Sequence, residues 1–111
     1  MEPRLTTGFW VSAYLNRLRL AGIPVFVVQK GDATAGAVVV KLATLDGQAQ
    51  AFQRSFDLMA DVRIWVVLAE GAEGEVDAVL ARQRARDPDL WVLELEDRAG
   101  RTLLDQEGLS G

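Results

Sequence analysis

Residues 30–41 read KGDATAGAVVVK. Gly31 and Gly36 bracket four residues, and a lysine stands at each end. The spacing G-x-x-x-x-G is the front half of a phosphate-binding P-loop. That loop is completed by Lys-Ser/Thr directly after the second glycine, at the start of a helix whose backbone N–H groups cradle the phosphate. Here Gly36 is followed by Ala37 and three valines, and Lys41 arrives five residues late. A β-branched run at that point makes a strand, not a helix. The stretch is therefore read as a turn that enters a strand, and it commits this part of the chain to a sheet.

Working outward, residues 25–30 form the preceding strand and 36–44 the following one. If residues 32–35 are a four-residue loop, Lys30 faces Ala37, Val28 faces Val39 and Phe26 faces Lys41, because directly opposed residues share a sheet face. Asp46-Gly47 is a two-residue hairpin signal, which sets Lys41 opposite Phe52 on a third strand over 48–53. One face then carries Val25, Val27, Val38, Val40, Leu42, Ala49 and Ala51. The other carries Phe26, Val28, Val39 and Phe52, with Lys30 and Lys41 among them. A one-residue change in either loop flips the assignment. Lys41 is expected between Phe26 and Phe52, either covering the rings with its stem or holding a cation over aromatics as an anion or partner site. Phe26, Lys30, Lys41 and Phe52 are the binding candidates on this face.

The chain opens with a helix capped by Thr6 or Thr7 and stopped by Gly22. Val11, Tyr14, Leu15, Leu18 and Ala21 recur at helical spacing, with Phe9 and Trp10 widening the stripe and Ser12, Asn16 and Arg19 on the wet side. Residues 54–61 fit no single pattern. Residues 62–69 form a fourth strand with apolar residues on both sides. Gly71 and Gly74 mark a loop before a second helix over 75–86, which carries acids at its start and arginines at its end, as the helix dipole favours. Asp87-Pro88 ends it. A fifth strand covers 90–96, followed by a turn at 98–101, a short strand at 102–104 and a loose tail from about 106. The order α-β-β-β-β-α-β predicts one α+β domain over 1–111, with a mostly antiparallel sheet of about five strands and two helices. Such a sheet is apolar on both faces, and its two helices are not expected to cover both. The open face predicts an interface, and a two-fold homodimer is the default for it.

Composition narrows the chemistry. With no histidine the usual general base is missing, and with no cysteine so are thiolate chemistry and Cys/His zinc sites. A cysteine-free chain fits a reducing, cytoplasmic setting. No secretory signal is visible, and the longest mostly apolar uncharged run, 20–28, falls short of the ~20 residues a spanning helix needs. The net charge of −4 argues against general nucleic-acid binding. Two acid-bearing candidates remain on the last strand, Glu94 and Glu96 on one face, with Asp89 just before. Together they suggest a site for Mg²⁺ or Mn²⁺ in a small hydrolase or nuclease-like enzyme, or simply a solvated face. Arg82 and Arg86 lie one helical turn apart and are candidates for binding a partner or an anion such as phosphate; with Arg84 they make nucleic-acid binding a third reading, which the net acidity counts against. No cofactor or resident metal is expected.

The runs VVQKGDATAGAVVVKL and RARDPDLWVLELEDRAGR, with the helix GFWVSAYLNRLRLAG, resemble an uncharacterised alphaproteobacterial family, domain of unknown function 1491. The resemblance extends from about Phe9 to Leu104. It implies no activity and assigns no functional residue. The sequence is read first as a non-enzymatic interaction or accessory module with a protein partner, and second as the carboxylate-based, Mg²⁺- or Mn²⁺-dependent enzyme.

Overall fold

The structure, a computed structural model, describes residues 6–60, 62–106 and 109. Its elements are α1 (Thr7–Leu20), β1 (Val25–Gln29), β2 (Val38–Ala43), β3 (Gln48–Asp57), β4 (Val62–Ala72), α2 (Glu73–Arg86) and β5 (Trp91–Glu96). The predicted order and α+β class hold. The sheet runs β1-β5-β2-β3-β4, antiparallel throughout except where β5 lies parallel to β2.

That insertion corrects the first hairpin. β1 and β2 do not pair, because β5 lies between them and hydrogen-bonds to both. The connection KGDATAG straddles the entry to β5 instead of turning tightly. Asp32 N–H donates to the Asp89 carbonyl (3.0 Å) and its own carbonyl accepts from Trp91 Nε1 (2.8 Å). A Cβ on either Gly31 or Gly36 would run into the Asp89 carbonyl oxygen. Both glycines are thus required by a close backbone approach. The same loop offers carbonyls to the start of α1: Thr7 N–H reaches Thr34 O (3.2 Å), Gly8 N–H reaches Ala33 O (2.8 Å), and the Thr7 hydroxyl donates to Gly36 O (2.9 Å). This is a P-loop's polarity reversed. The loop supplies acceptors that satisfy a helix's first N–H groups, where a phosphate would need donors.

The second hairpin is also corrected. Thr44 N–H bonds to Gln48 O, so the loop is the three residues Leu45-Asp46-Gly47, with Leu45 and Gly47 both at positive φ (63° and 87°). Asp46 Oδ1 holds it by accepting from the Thr44 hydroxyl and the Gln48 N–H. One residue more than the expected turn slips the register, so Lys41 opposes Ala51 and not Phe52. Phe52, Ala49 and Ala51 all change face as a result.

Two layers cover the sheet, one helix on each face, which corrects the expectation that one face is left open. Trp10, Val11, Tyr14 and Leu18 of α1 pack on Val38, Val40, Leu42, Leu93 and Leu95, with Phe52 and Trp65 at the margin. Val76 and Leu80 of α2 pack on Val39, Ala49, Ala51 and Val92. Leu15 and Ala21 are only partly buried, and Phe9, expected in the stripe, is 61% exposed. Thr6 caps α1 by accepting from Phe9 N–H (3.3 Å). The undecided residues 54–57 continue β3, because β4 pairs with them out to Asp57 and Val62. No strand forms at 102–104. The Thr102 carbonyl is taken by the Tyr14 hydroxyl (2.7 Å), and Leu104 turns into the core. Of the tail, residues 107, 108, 110 and 111 lie outside the described residues. Leu109 is not loose: it is buried, and its carbonyl accepts from Trp65 Nε1 (3.1 Å).

Candidate functional site

The slipped register puts Lys41 under α2. One cross-sheet row reads Phe26, Glu94, Lys41, Ala51, Ala69. Lys41 is 3% exposed, and its Nζ lies 2.7 Å from Glu73 Oε2, 2.6 Å from Asp77 Oδ1 and 2.9 Å from Glu94 Oε1. Glu73 and Asp77 are four residues apart and so share one side of α2. Glu94 is the neighbouring residue on β5. Burial pushes the ammonium's pKa down, but its bonds to Asp77, Glu73 and Glu94 outweigh that and leave it above the ordinary lysine value. The three acids each offer an oxygen within 4.8 Å of the others. That is cation-holding geometry, and the cation it holds is the Lys41 ammonium.

This placement bears on the carboxylate reading of the last strand. Glu94 is engaged with Lys41. Asp89 is exposed in the turn before β5, and Glu96 lies at the strand's far end opposite Ala43. Among the described residues, the acids close enough to share a cation are Glu73, Asp77 and Glu94, a group that includes neither Asp89 nor Glu96. Asp77 is explained in the sequence by the helix dipole, and Glu73 falls in the loop expected before residue 75; α2 in fact begins at Glu73, which sets the two acids one turn apart. Only the sheet register reveals the lysine beneath them.

The other candidates scatter. Phe26 and Lys41 share a face with Glu94 between them, while Phe52 is on the opposite face and Lys30 is exposed beyond β1. Arg82 and Arg86 are exposed on α2. Arg84, between them in sequence, donates from Nε to Gln29 Oε1 (3.1 Å) and ties α2 to β1. That tie leaves most of β1 open. Phe26, Val27 and Val28 are 51%, 45% and 41% exposed, on both faces of an edge strand with one side unpaired.

A second polar feature lies on the α1 side, where the sequence reading was undecided. A cleft of about 500 Å³ is lined by Thr6, Thr7, Thr34, Gly36, Arg54 and Arg63, among others. The Arg54 guanidinium sits 5.0 Å from the Trp10 ring centroid and 5.7 Å from that of Trp65. Burial and then the Arg63 charge hold its pKa below the ordinary guanidinium value.

The sequence matches the family described as "Protein of unknown function (DUF1491)" over residues 5–105. The chain belongs to the DUF1491 family. A crystal structure of a DUF1491 family protein from Caulobacter crescentus CB15 is 38% identical, with a TM-score of 0.83 over 92% of this chain and 96% of that one. An NMR structure of a DUF1491 family protein from the same organism is also 38% identical, with a TM-score of 0.80 over 94% and 96%. Protein Atu0922 from A. tumefaciens is 31% identical, with a TM-score of 0.70 over 85% and 86%. No curated protein matches the chain. Among the described residues of this DUF1491 member, no helix is long and apolar enough to cross a membrane.

Proposed function

We propose that the chain is a non-enzymatic interaction module of the cytoplasm whose docking surface is the β1 edge, and that a second copy of the chain occupies it. The observation that carries this is the exposure of Phe26, Val27 and Val28 on an edge strand that is paired on one side only. Open edges are ordinarily blunted by lysine, proline, an inward-pointing charge or a β-bulge, because their free N–H and C=O groups recruit other strands. β1 reads VFVVQ and carries no lysine, proline or charge; its one irregularity is a register shift between Val27 and Gln29. Antiparallel self-pairing about Val27 would set Phe26 of each copy against Val28 of the other, both on the α2 side. The contact would be isologous, as two-fold symmetry demands. No charged residue stands in β1, so self-pairing meets no like-charge repulsion along the strand.

The test is mass in solution. Size-exclusion chromatography with light scattering should give twice the 12.1 kDa chain mass, and Phe26→Lys with Val28→Lys should give a folded monomer. A native chain that stays monomeric up to about 200 µM, a concentration well above the Kd of a specific dimer, would overturn the proposal.

A further inference from the structure

The cleft on the α1 side carries a chemistry that edge pairing does not use. Arg54 and Arg63 lie diagonally on one face of the β3–β4 ladder: Arg54 opposes Trp65, and Arg63 opposes Phe56, two positions along. Among the described residues, no carboxylate makes an ion pair with either. Both are only partly exposed. Adjacent like charges on a sheet face are destabilising, and burying them in part raises the cost.

The surroundings complete a receptor. Arg54 is braced over the Trp10 and Trp65 rings, an arrangement that costs little rotamer freedom on binding and suits guanidinium stacking. Thr34 lines the rim from the loop above, and that loop is held rigid because Asp32 Oδ2 accepts from the Thr34 and Ala35 N–H groups (3.2 and 2.9 Å). The N-terminus of α1 adds nothing directly, since the Thr7 and Gly8 N–H groups are already bonded to loop carbonyls. The donors that remain are the two guanidiniums and side-chain hydroxyls. At about 500 Å³ the cleft falls in the range of small-molecule sites, larger than an inorganic ion requires.

The geometry points to a binding site, between Arg54 and Arg63 and under the loop carrying Thr34, for a small molecule bearing a dianionic phosphate group. Two guanidiniums match the charge of a phosphate monoester and can each bond two of its oxygens. A carboxylate would leave one positive charge uncompensated. The site is independent of the β1 edge, which lies at the opposite end of the sheet, so either proposal can fail without the other.

The experiment is a titration of the full-length chain followed by amide NMR. Inorganic phosphate and glycerol 3-phosphate are the probes, with acetate and chloride at matched ionic strength as controls. Saturable shifts should centre on Thr34, Ala35, Gly36 and Ser55, with glycerol 3-phosphate binding at least as tightly as inorganic phosphate. Arg63→Gln should weaken binding at least about tenfold, the typical loss for a hydrogen bond to a charged group, and Arg82→Gln should leave it unchanged. Arg54→Gln removes the brace over Trp10 and is read only if it retains the native spectrum; Arg63→Gln decides the matter alone. No saturable shift by about 10 mM of either phosphate, a concentration that already reports very weak sites, would overturn the site. So would shifts that survive Arg63→Gln, match those with acetate, or centre on Arg82 and Arg86.

Discussion

The two faces of the sheet treat positive charge in opposite ways. On the α2 side, one ammonium is buried and met by three carboxylates, all within 3 Å of Nζ. On the α1 side, two half-buried guanidiniums share a cleft and meet none among the described residues. A cation with every partner supplied internally is a structural device. The arginine pair, matched by no carboxylate among the described residues, is the proposed binding device. Counting charges along the chain cannot separate the two, because the difference lies in which face each residue occupies.

The largest effect should come from unbalancing the satisfied side. Lys41→Met leaves three converging carboxylates without their cation. Removing one member of a buried ion cluster typically costs ~3–5 kcal/mol, and the partial exposure of the acids argues for the lower end, about 3 kcal/mol. Urea unfolding should show it as a lower midpoint at unchanged slope. Adding Glu73→Gln, Asp77→Asn and Glu94→Gln to that variant should bring stability back to within about 1 kcal/mol of the native chain, since whole ion clusters are often replaceable by neutral groups. If Lys41→Met costs nothing, the cluster is not what holds α2 on the sheet.

A smaller effect should follow pH. Lys41's pKa in the fold lies above its unfolded value. Its contribution is therefore complete below the unfolded pKa and is lost as pH rises through the folded one. Thermal unfolding between about pH 9 and pH 11.5 should show the native chain losing its advantage over Lys41→Met only in the upper part of that window. A gap that closes already near neutral pH would contradict the ion-cluster account.

The smallest effect should have the reverse sign. Arg63→Glu relieves a like-charge neighbour and supplies Arg54 with a partner, so it should stabilise the chain by about 0.5 kcal/mol. The same change at Lys41 would be severely destabilising. Arg63→Glu should also abolish phosphate binding, the usual exchange of function for stability at a binding site. A destabilised Arg63→Glu would mean that the α1-side arginines are held by structure, like Lys41.

Much of the fold was legible locally. A cap at Thr6 or Thr7 and a stop at Gly22 bounded α1, and β-branched runs marked the strands, because caps, propensities and periodicity act within a few residues. The order of elements followed from these signals alone. The carboxylates of the last strand were visible as acids, yet their role was not. Glu94 had to be seen beside Lys41 before it could be distinguished from the exposed Asp89.

Two things lay beyond local reading. One was a turn length: Asp46-Gly47 promised a two-residue turn, and Leu45 in the left-handed region made it three. Because strand side chains alternate with period two, that single residue moved Phe52 and Ala51 to opposite faces from those expected. The other was the insertion of β5 between β1 and β2, which pairs it with segments roughly fifty to seventy residues away in sequence, a partner choice that no window of the chain contains. KGDATAGAVVVK carries both lessons. Its valines were bound to be a strand whatever lay around them. Only the packed fold made its glycines a crossing point over Asp89 and its final lysine the centre of an ion cluster.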